Sequence, residues 1–248
     1  MPWSPGQWAI AALGAFIVGL SKTGIGGLGI LFAALFVLVF PNAKQATGFV
    51  VPLLIFGDVV AVLAYRSHAQ WRYVWKLFPS TAVGVILGFL ALGRISNPAA
   101  KTLVGAIICT LAVLSFWLRH RSGSTDERAL TLRWLFAPLI GTIAGFLTLI
   151  ANAAGPVMAS YFVSMRLPKM QYAGTTAVFF LILNLFKVPF VLQLGLLTAH
   201  SFAINLILLP MVLLGALIGR WLLVRVNQYL FNNLVLGLSA LAGILMLL

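Results

Sequence analysis

The fold class predicted here is an all-α polytopic membrane protein made of two inverted repeats, each a broken, re-entrant helical hairpin followed by three transmembrane helices. Three observations predict it. The 248 residues are 62% hydrophobic and only 8% charged, whereas soluble domains carry about 25% charged residues. Six continuous apolar runs approach the roughly 20 residues that cross a bilayer, and two longer apolar regions are interrupted by polar residues and glycine. Landmarks of the first half also recur in order in the second.

The elements follow in order. The first repeat covers residues 1–122, with a hairpin over 7–40 and helices over 48–65, 74–92 and 103–118. A cytoplasmic linker over 123–131 leads to the second repeat, 132–248, with a hairpin over 132–163 and helices over 173–192, 202–223 and 230–248. Each hairpin region is too long for one crossing at 1.5 Å per residue and short for two, so each is expected to hold two half-length helices closed by a non-helical tip. Gly19 and Gly29 match Gly145 and Gly155, 126 positions later, and Pro41 matches Pro168. "PSTAVGVILGFLALGR" aligns without a gap on "PMVLLGALIGRWLLVR", pairing Pro79 with Pro210, Gly84 with Gly215, Gly88 with Gly219 and Arg94 with Arg225.

Charge gives the orientation. The net charge of +13 comes from 16 Lys and Arg against 3 Asp and Glu, and most of the cations lie in short loops between apolar runs. That is the positive-inside distribution and not a nucleic-acid surface. Residues 66–76 carry Arg66, Arg72 and Lys76, while the counterpart 193–201 carries no Lys or Arg. The central loop carries Arg119, Arg121, Arg128 and Arg133. With the first connection and the central loop both cytoplasmic, the counterpart falls outside, which makes the halves inverted; Arg94 and Lys101 then lie on the outer side. The start, "MPWSPGQW", has no basic residue ahead of the first apolar run, so that run is expected to be retained and not cleaved as a signal. Cys109 is the lone cysteine, which excludes an intrachain disulfide. No stretch outside the spans is long enough for a soluble domain.

The interruption "GLSKTGIGGLGIL" carries the chemistry. Irregular backbone at membrane depth survives only against protein or a water-filled cavity, and in transporters such broken helices from two inverted repeats meet near the midplane. Gly24, Gly26 and Gly27 let backbone N–H groups approach a ligand, Ser21 and Thr23 add hydroxyls, and Lys22 adds a positive charge. The opposing tip offers Asn152, Ala153 and Ala154, with Gly155 and Pro156 opening the next half-helix. Helix packing alone accounts for glycines, but it does not call for Lys22.

These residues resemble the TauE/SafE sulfite exporter family, also called toluenesulfonate uptake permeases, over nearly the whole chain. The likeness rests on "GLSKTGIGGLG", its degenerate copy "GFLTLIANAAGP", and the segments after each, "PNAKQATGFVVPLLIFGD" and "LPKMQYAGTTAVFFLILNLFKVPF". It implies a multi-pass carrier of the bacterial inner membrane that moves sulfite, an organosulfonate or a related sulfur-containing anion. The second tip departs from the glycine-rich pattern, with Ala-Asn-Ala-Ala in place of glycines.

Other polar residues inside the spans complete the candidate site. Asp126 and Glu127 belong to the central loop, so Asp58 is the sole acid within a predicted span and is the candidate proton-coupling group. Lys187 lies deep in another span, with Asn184 one turn before it on the same face. Asp58 and Lys187 hold neighbouring repeat positions, so they either pair or divide the work between proton and anion. Thr175 and Thr176 are candidate hydroxyl donors, with bonding back to their own helix as the alternative. His68 and His200 lie at span ends, His120 in the basic loop, and Trp71 and Trp75 read as interface anchors.

No His-x-x-x-His or Cys-x-x-Cys cluster and no converging Ser/His/Asp set occurs, which argues against an enzyme, a metal site or a cofactor. The leading function is a secondary carrier of a small anion, working by alternating access around the two tips with possible proton coupling; an anion channel and a non-transporting assembly subunit are the alternatives. The partners implied are the anion and the lipid bilayer, with a homo-oligomer left open. The topology is testable with single cysteines near Ser4, at Thr125 and at Thr198, in a background lacking Cys109, and an impermeant reagent on intact cells. Labelling is expected near Ser4 and at Thr198 and not at Thr125. The reverse at Thr125 or Thr198 overturns the inverted arrangement.

Overall fold

The computed structural model describes residues 3–24, 28–40, 43–92 and 136–247. Gly26, Gly27, Arg94, Lys101, Cys109, His120, Asp126, Glu127, the helix over 103–118 and the linker over 123–131 lie outside the described residues. The described chain is helical, with no strand: α1 (Pro5–Thr23), α2 (Gly29–Val39), α3 (Ala43–Tyr65), α4 (Trp71–Leu92), α5 (Ala137–Ala151), α6 (Ala154–Ser164), α7 (Lys169–Gln193), α8 (Ala199–Arg225) and α9 (Gln228–Leu247), with a short 3₁₀ turn at Arg66–His68. Among the described residues, four helical segments are long and apolar enough to cross a membrane: Lys44–His68, Trp71–Leu92, Lys169–Gln193 and Ala199–Arg225.

Local chemistry accounts for the boundaries. Ser4 caps α1 by accepting from Gln7 N–H while the Gln7 side chain accepts from Ser4 N–H, and Pro5 opens the first turn, where a missing N–H costs nothing. Thr198 and Ser201 cap α8 in the same reciprocal way. α5 ends because Asn152 adopts a left-handed conformation, φ 52° and ψ 29°, which asparagine tolerates better than most residues.

α1 packs against α2 and α5 against α6, each pair with unequal arms. α1 has 19 residues and α2 has 11; α5 has 15 and α6 has 11. At 1.5 Å per residue the first arms run about 28 and 22 Å and the second arms about 16 Å each, rather than two equal halves. Gly14, Gly19 and Ser21 do not break α1, because its glycines are where a neighbouring helix packs, and the helix stops only at Gly24.

Glycine sets how closely these arms are held. A Cβ on Gly19 would overlap the Val212 carbonyl on α8, and one on Gly215 would overlap the Phe16 carbonyl on α1. The same reciprocal contact joins α5 to α4: Gly145 abuts the Thr81 carbonyl and Gly84 abuts the Thr142 carbonyl. The positions correspond across the halves, Phe16 and Gly19 to Thr142 and Gly145, Val212 and Gly215 to Thr81 and Gly84, so one backbone-on-backbone contact is built twice. Between these pairs α3 crosses α7. One apolar core joins α1, α2 and the first part of α3 to α8; the other joins the rest of α3 to α4–α7 and α9. The outer faces of α4 and α8 expose Trp75, Leu90, Ile207, Leu217 and Trp221, as a lipid-facing surface requires.

Gly84→Val is expected to lower stability by about 1–3 kcal/mol through overpacking, read as a fall in the unfolding midpoint of the purified protein. Gly155→Ala, whose added Cβ meets nothing within 4 Å, is the matched control and is expected to stay within about 0.5 kcal/mol of wild type.

Candidate functional site

The end of α1 and the Asn152 turn border one partly open pocket of about 60 Å³. At the 10–15 Å³ that one water needs, this is room for on the order of four water-sized groups. Of the residues singled out from sequence, Ser21, Lys22, Gly24, Asp58, Asn152, Gly155, Thr176 and Asn184 lie on its wall. Thr148, Phe32, Leu54 and Phe180 share that wall and were not anticipated.

Asp58, in the second half of α3, has no exposure at all. A carboxylate there must be matched by neighbours, because an unpaired buried charge costs several kcal/mol. Lys22 Nζ lies 2.7 Å from Asp58 Oδ1, and Asn184 Nδ2 donates to Oδ2 at 2.6 Å. One side chain thus ties α1, α3 and α7 together. Lys22 also rests over the Phe180 ring, 4.6 Å from its centroid, a favourable place for an ammonium. Gly57 makes room for the lysine stem, since a Cβ there would lie 2.9 Å from Lys22 Cγ. Lys22 sits in the last turn of α1, where a cation also complements the helix dipole.

Lys187 does not reach Asp58 directly. It is fully buried and donates to Asn152 Oδ1 at 2.7 Å, Thr148 Oγ1 at 3.2 Å and the Thr148 carbonyl at 3.3 Å. Three acceptors match the three donors of an ammonium. Asn152 also donates to the Thr47 carbonyl at 3.0 Å. The tip residue is therefore clamped from α7 and α3, which holds its left-handed backbone in place. Lys187 stands behind the cavity wall as the support of Asn152 and Thr148. The first N–H groups of α6 have no acceptor within the helix, and Gly155, at its second position, lies on the wall.

Three other residues point elsewhere. The Thr23 hydroxyl donates to the carbonyls of Ala216, at 2.6 Å, and Gly19, at 3.2 Å, while its own carbonyl accepts from the Tyr65 hydroxyl at 2.8 Å; it locks the end of α1 onto α8 and α3. Thr175 accepts from Gln70 N–H at 2.9 Å, which joins α7 to the start of α4. Ala153 is fully buried. Thr176 bonds back to Tyr172 and Ala173 of its own helix while bordering the cavity.

The repeat spacing itself was the signal for what sequence reasoning missed. Asn184 stands 126 positions after Asp58, the offset of the hairpin glycines, so the carboxylate and the amide bonded to it are counterparts. Thr148 is the counterpart of Lys22 by the same offset.

Lys22→Ala is expected to cost about 3–5 kcal/mol by stranding the Asp58 carboxylate, and Lys22→Ala with Asp58→Asn is expected to recover most of that loss. Lys187→Met is expected to cost about 1–3 kcal/mol by leaving Asn152 and Thr148 oxygens unmatched. Thermal unfolding of the purified variants measures all three.

The sulfite exporter TauE/SafE family model matches residues 11–246, which takes in nearly all of both hairpins and every residue on the pocket wall. No curated protein and no solved structure matches this chain. The family is one of transporters rather than enzymes, which agrees with a pocket bordered by a lysine, amides and hydroxyls. On a match of nearly its full length, the chain belongs to the TauE/SafE sulfite exporter family and is a multi-pass membrane transporter.

Proposed function

We propose that this protein is a secondary carrier of a small sulfur-containing anion, sulfite or an organosulfonate, across the bacterial inner membrane. The two hairpin tips form its binding site, the two halves act as inverted repeats in alternating access, and Asp58 couples transport to protons. The observation that carries this reading is the charge balance around the cavity. Two lysines, Lys22 on the wall and Lys187 just behind it, accompany one carboxylate, Asp58. A four-atom oxyanion such as sulfite matches a cavity with room for about four water-sized groups. Donors are available from the Lys22 ammonium, the Ser21 hydroxyl and the first turn of α6. An anion stripped of part of its hydration needs several such donors at once, and a helix N-terminus is a favourable place for negative charge.

The repeated glycine contacts support two equivalent hairpin–helix units, and the contrast between the basic loop over 66–76 and the loop over 193–201, which has no Lys or Arg, supports their inversion. A pocket bordered by both hairpins suits a carrier, in which the site opens to one side at a time.

The test is flux into proteoliposomes of the purified protein, with sulfite compared against several sulfonates, with and without a pH gradient. Saturable sulfite flux that rises with a proton gradient is expected. Asp58→Asn is expected to lose the dependence on the gradient, and full gradient-driven transport in that variant removes Asp58 from the coupling route. Lys22→Ala is expected to weaken anion binding by about 2–5 kcal/mol.

A further inference from the structure

The anion site of this structure already holds a negative charge, and that charge belongs to the protein. Lys22 is the cation on the cavity wall, and its ammonium is engaged by Asp58 Oδ1 at 2.7 Å. We propose, building on the carrier reading above, that the Asp58 carboxylate is a tethered stand-in for the substrate, so that substrate anion and Asp58 compete for Lys22. The anion then binds when Asp58 has taken up a proton, and one proton travels with each anion.

Two features carry this beyond the presence of an ion pair. The first is that both partners border the cavity. An ion pair that served packing alone would not need to face the space between the tips. The second is an orphan. Asn184 Oδ1 is buried and has no hydrogen-bond partner, although the amide nitrogen of the same group already donates to Asp58 Oδ2. A buried acceptor left unmatched costs about 1–3 kcal/mol and calls for an explanation. A primary amide and a carboxylic acid pair through two hydrogen bonds, amide N–H to acid carbonyl and acid O–H to amide carbonyl. Here the first bond is in place, and the second requires one proton on Asp58. The structure holds a ready acceptor for the protonated acid, and that acceptor goes unused while the acid is ionised.

The exchange balances. A proton from solution adds to Asp58 Oδ1, and the resulting O–H turns to Asn184 Oδ1. Lys22 loses its counter-charge, remains supported by the Phe180 face 4.6 Å away, and presents its N–H donors to the cavity. The incoming anion restores the charge balance. On release the anion leaves, the proton leaves, and the carboxylate returns to Lys22.

The groups around Asp58 leave few other titrations to confuse the reading. α1 contributes Lys22, and α7 contributes Asn184 and, one turn on, Lys187. α2 and α5 carry no charged residue, and the titratable residues of α8 (His200, Arg220, Arg225) lie toward its two ends.

The experiment is equilibrium binding to the purified full-length protein. Methanesulfonate is the probe because it stays ionised across about pH 5 to 8, the range over which the measurement runs; sulfite is run in parallel. Wild-type affinity for methanesulfonate is expected to fall as pH rises, approaching about tenfold per pH unit. Asp58→Asn is expected to bind with a pH-independent affinity at least equal to that of wild type at the lowest pH. A wild-type affinity that does not change with pH overturns the proposal, as does an Asp58→Asn variant that is folded and binds more weakly than wild type throughout. The wild-type series decides the matter alone if the variant does not fold. Failure of both methanesulfonate and sulfite to bind at any pH overturns instead the carrier reading on which the proposal rests.

Discussion

A carboxylate with no exposure to solvent stands at the centre of this protein, and the surrounding structure is arranged to keep it matched. Asp58 needs a cation and a donor within about 3 Å, and no neighbour on its own helix supplies either. Lys22 comes from the end of a broken helix and Asn184 from a helix more than 100 residues further along the chain. Bringing both to one point requires α1 to stop where it does and α3 to cross α7 at Asp58. It also requires Gly57 to leave space for the lysine stem. In a low-dielectric interior, breaking any one of these relations leaves a charge unmatched.

The second half answers the same geometry with different chemistry. Where the first half has Lys22 and Asp58, the second has Thr148 and Asn184, so the equivalent pair carries no charge. Its cation has moved to Lys187, and that lysine binds the tip itself rather than a carboxylate. The cavity is therefore asymmetric, with one tip held by an ion pair that borders the open space and the other by an ammonium set behind the wall.

Close glycine packing makes the arrangement possible. α1 on α8 and α5 on α4 meet backbone to backbone, which suits a membrane interior, where apolar burial supplies little drive for helices to associate. These contacts hold the longer arm of each hairpin against a full-length helix.

Some of this was determined by the sequence alone. Composition set the membrane class, because 8% charged residues cannot coat a soluble domain. Apolar run length pointed to helices long enough to cross a membrane, and four described segments have that length and composition. Ordered glycine and proline matches exposed the internal correspondence, and Lys22, Asp58, Asn184 and Lys187 stood out because polar groups are costly within spans. Only the tertiary structure decided how those four divide. The pairing of Lys22 with Asp58, the clamp of Lys187 on Asn152 and the turning of Thr23 and Thr175 away from the cavity depend on which faces of distant helices meet. Neither the period nor the propensity of any one helix encodes that crossing geometry; it follows from where the glycines let two backbones touch.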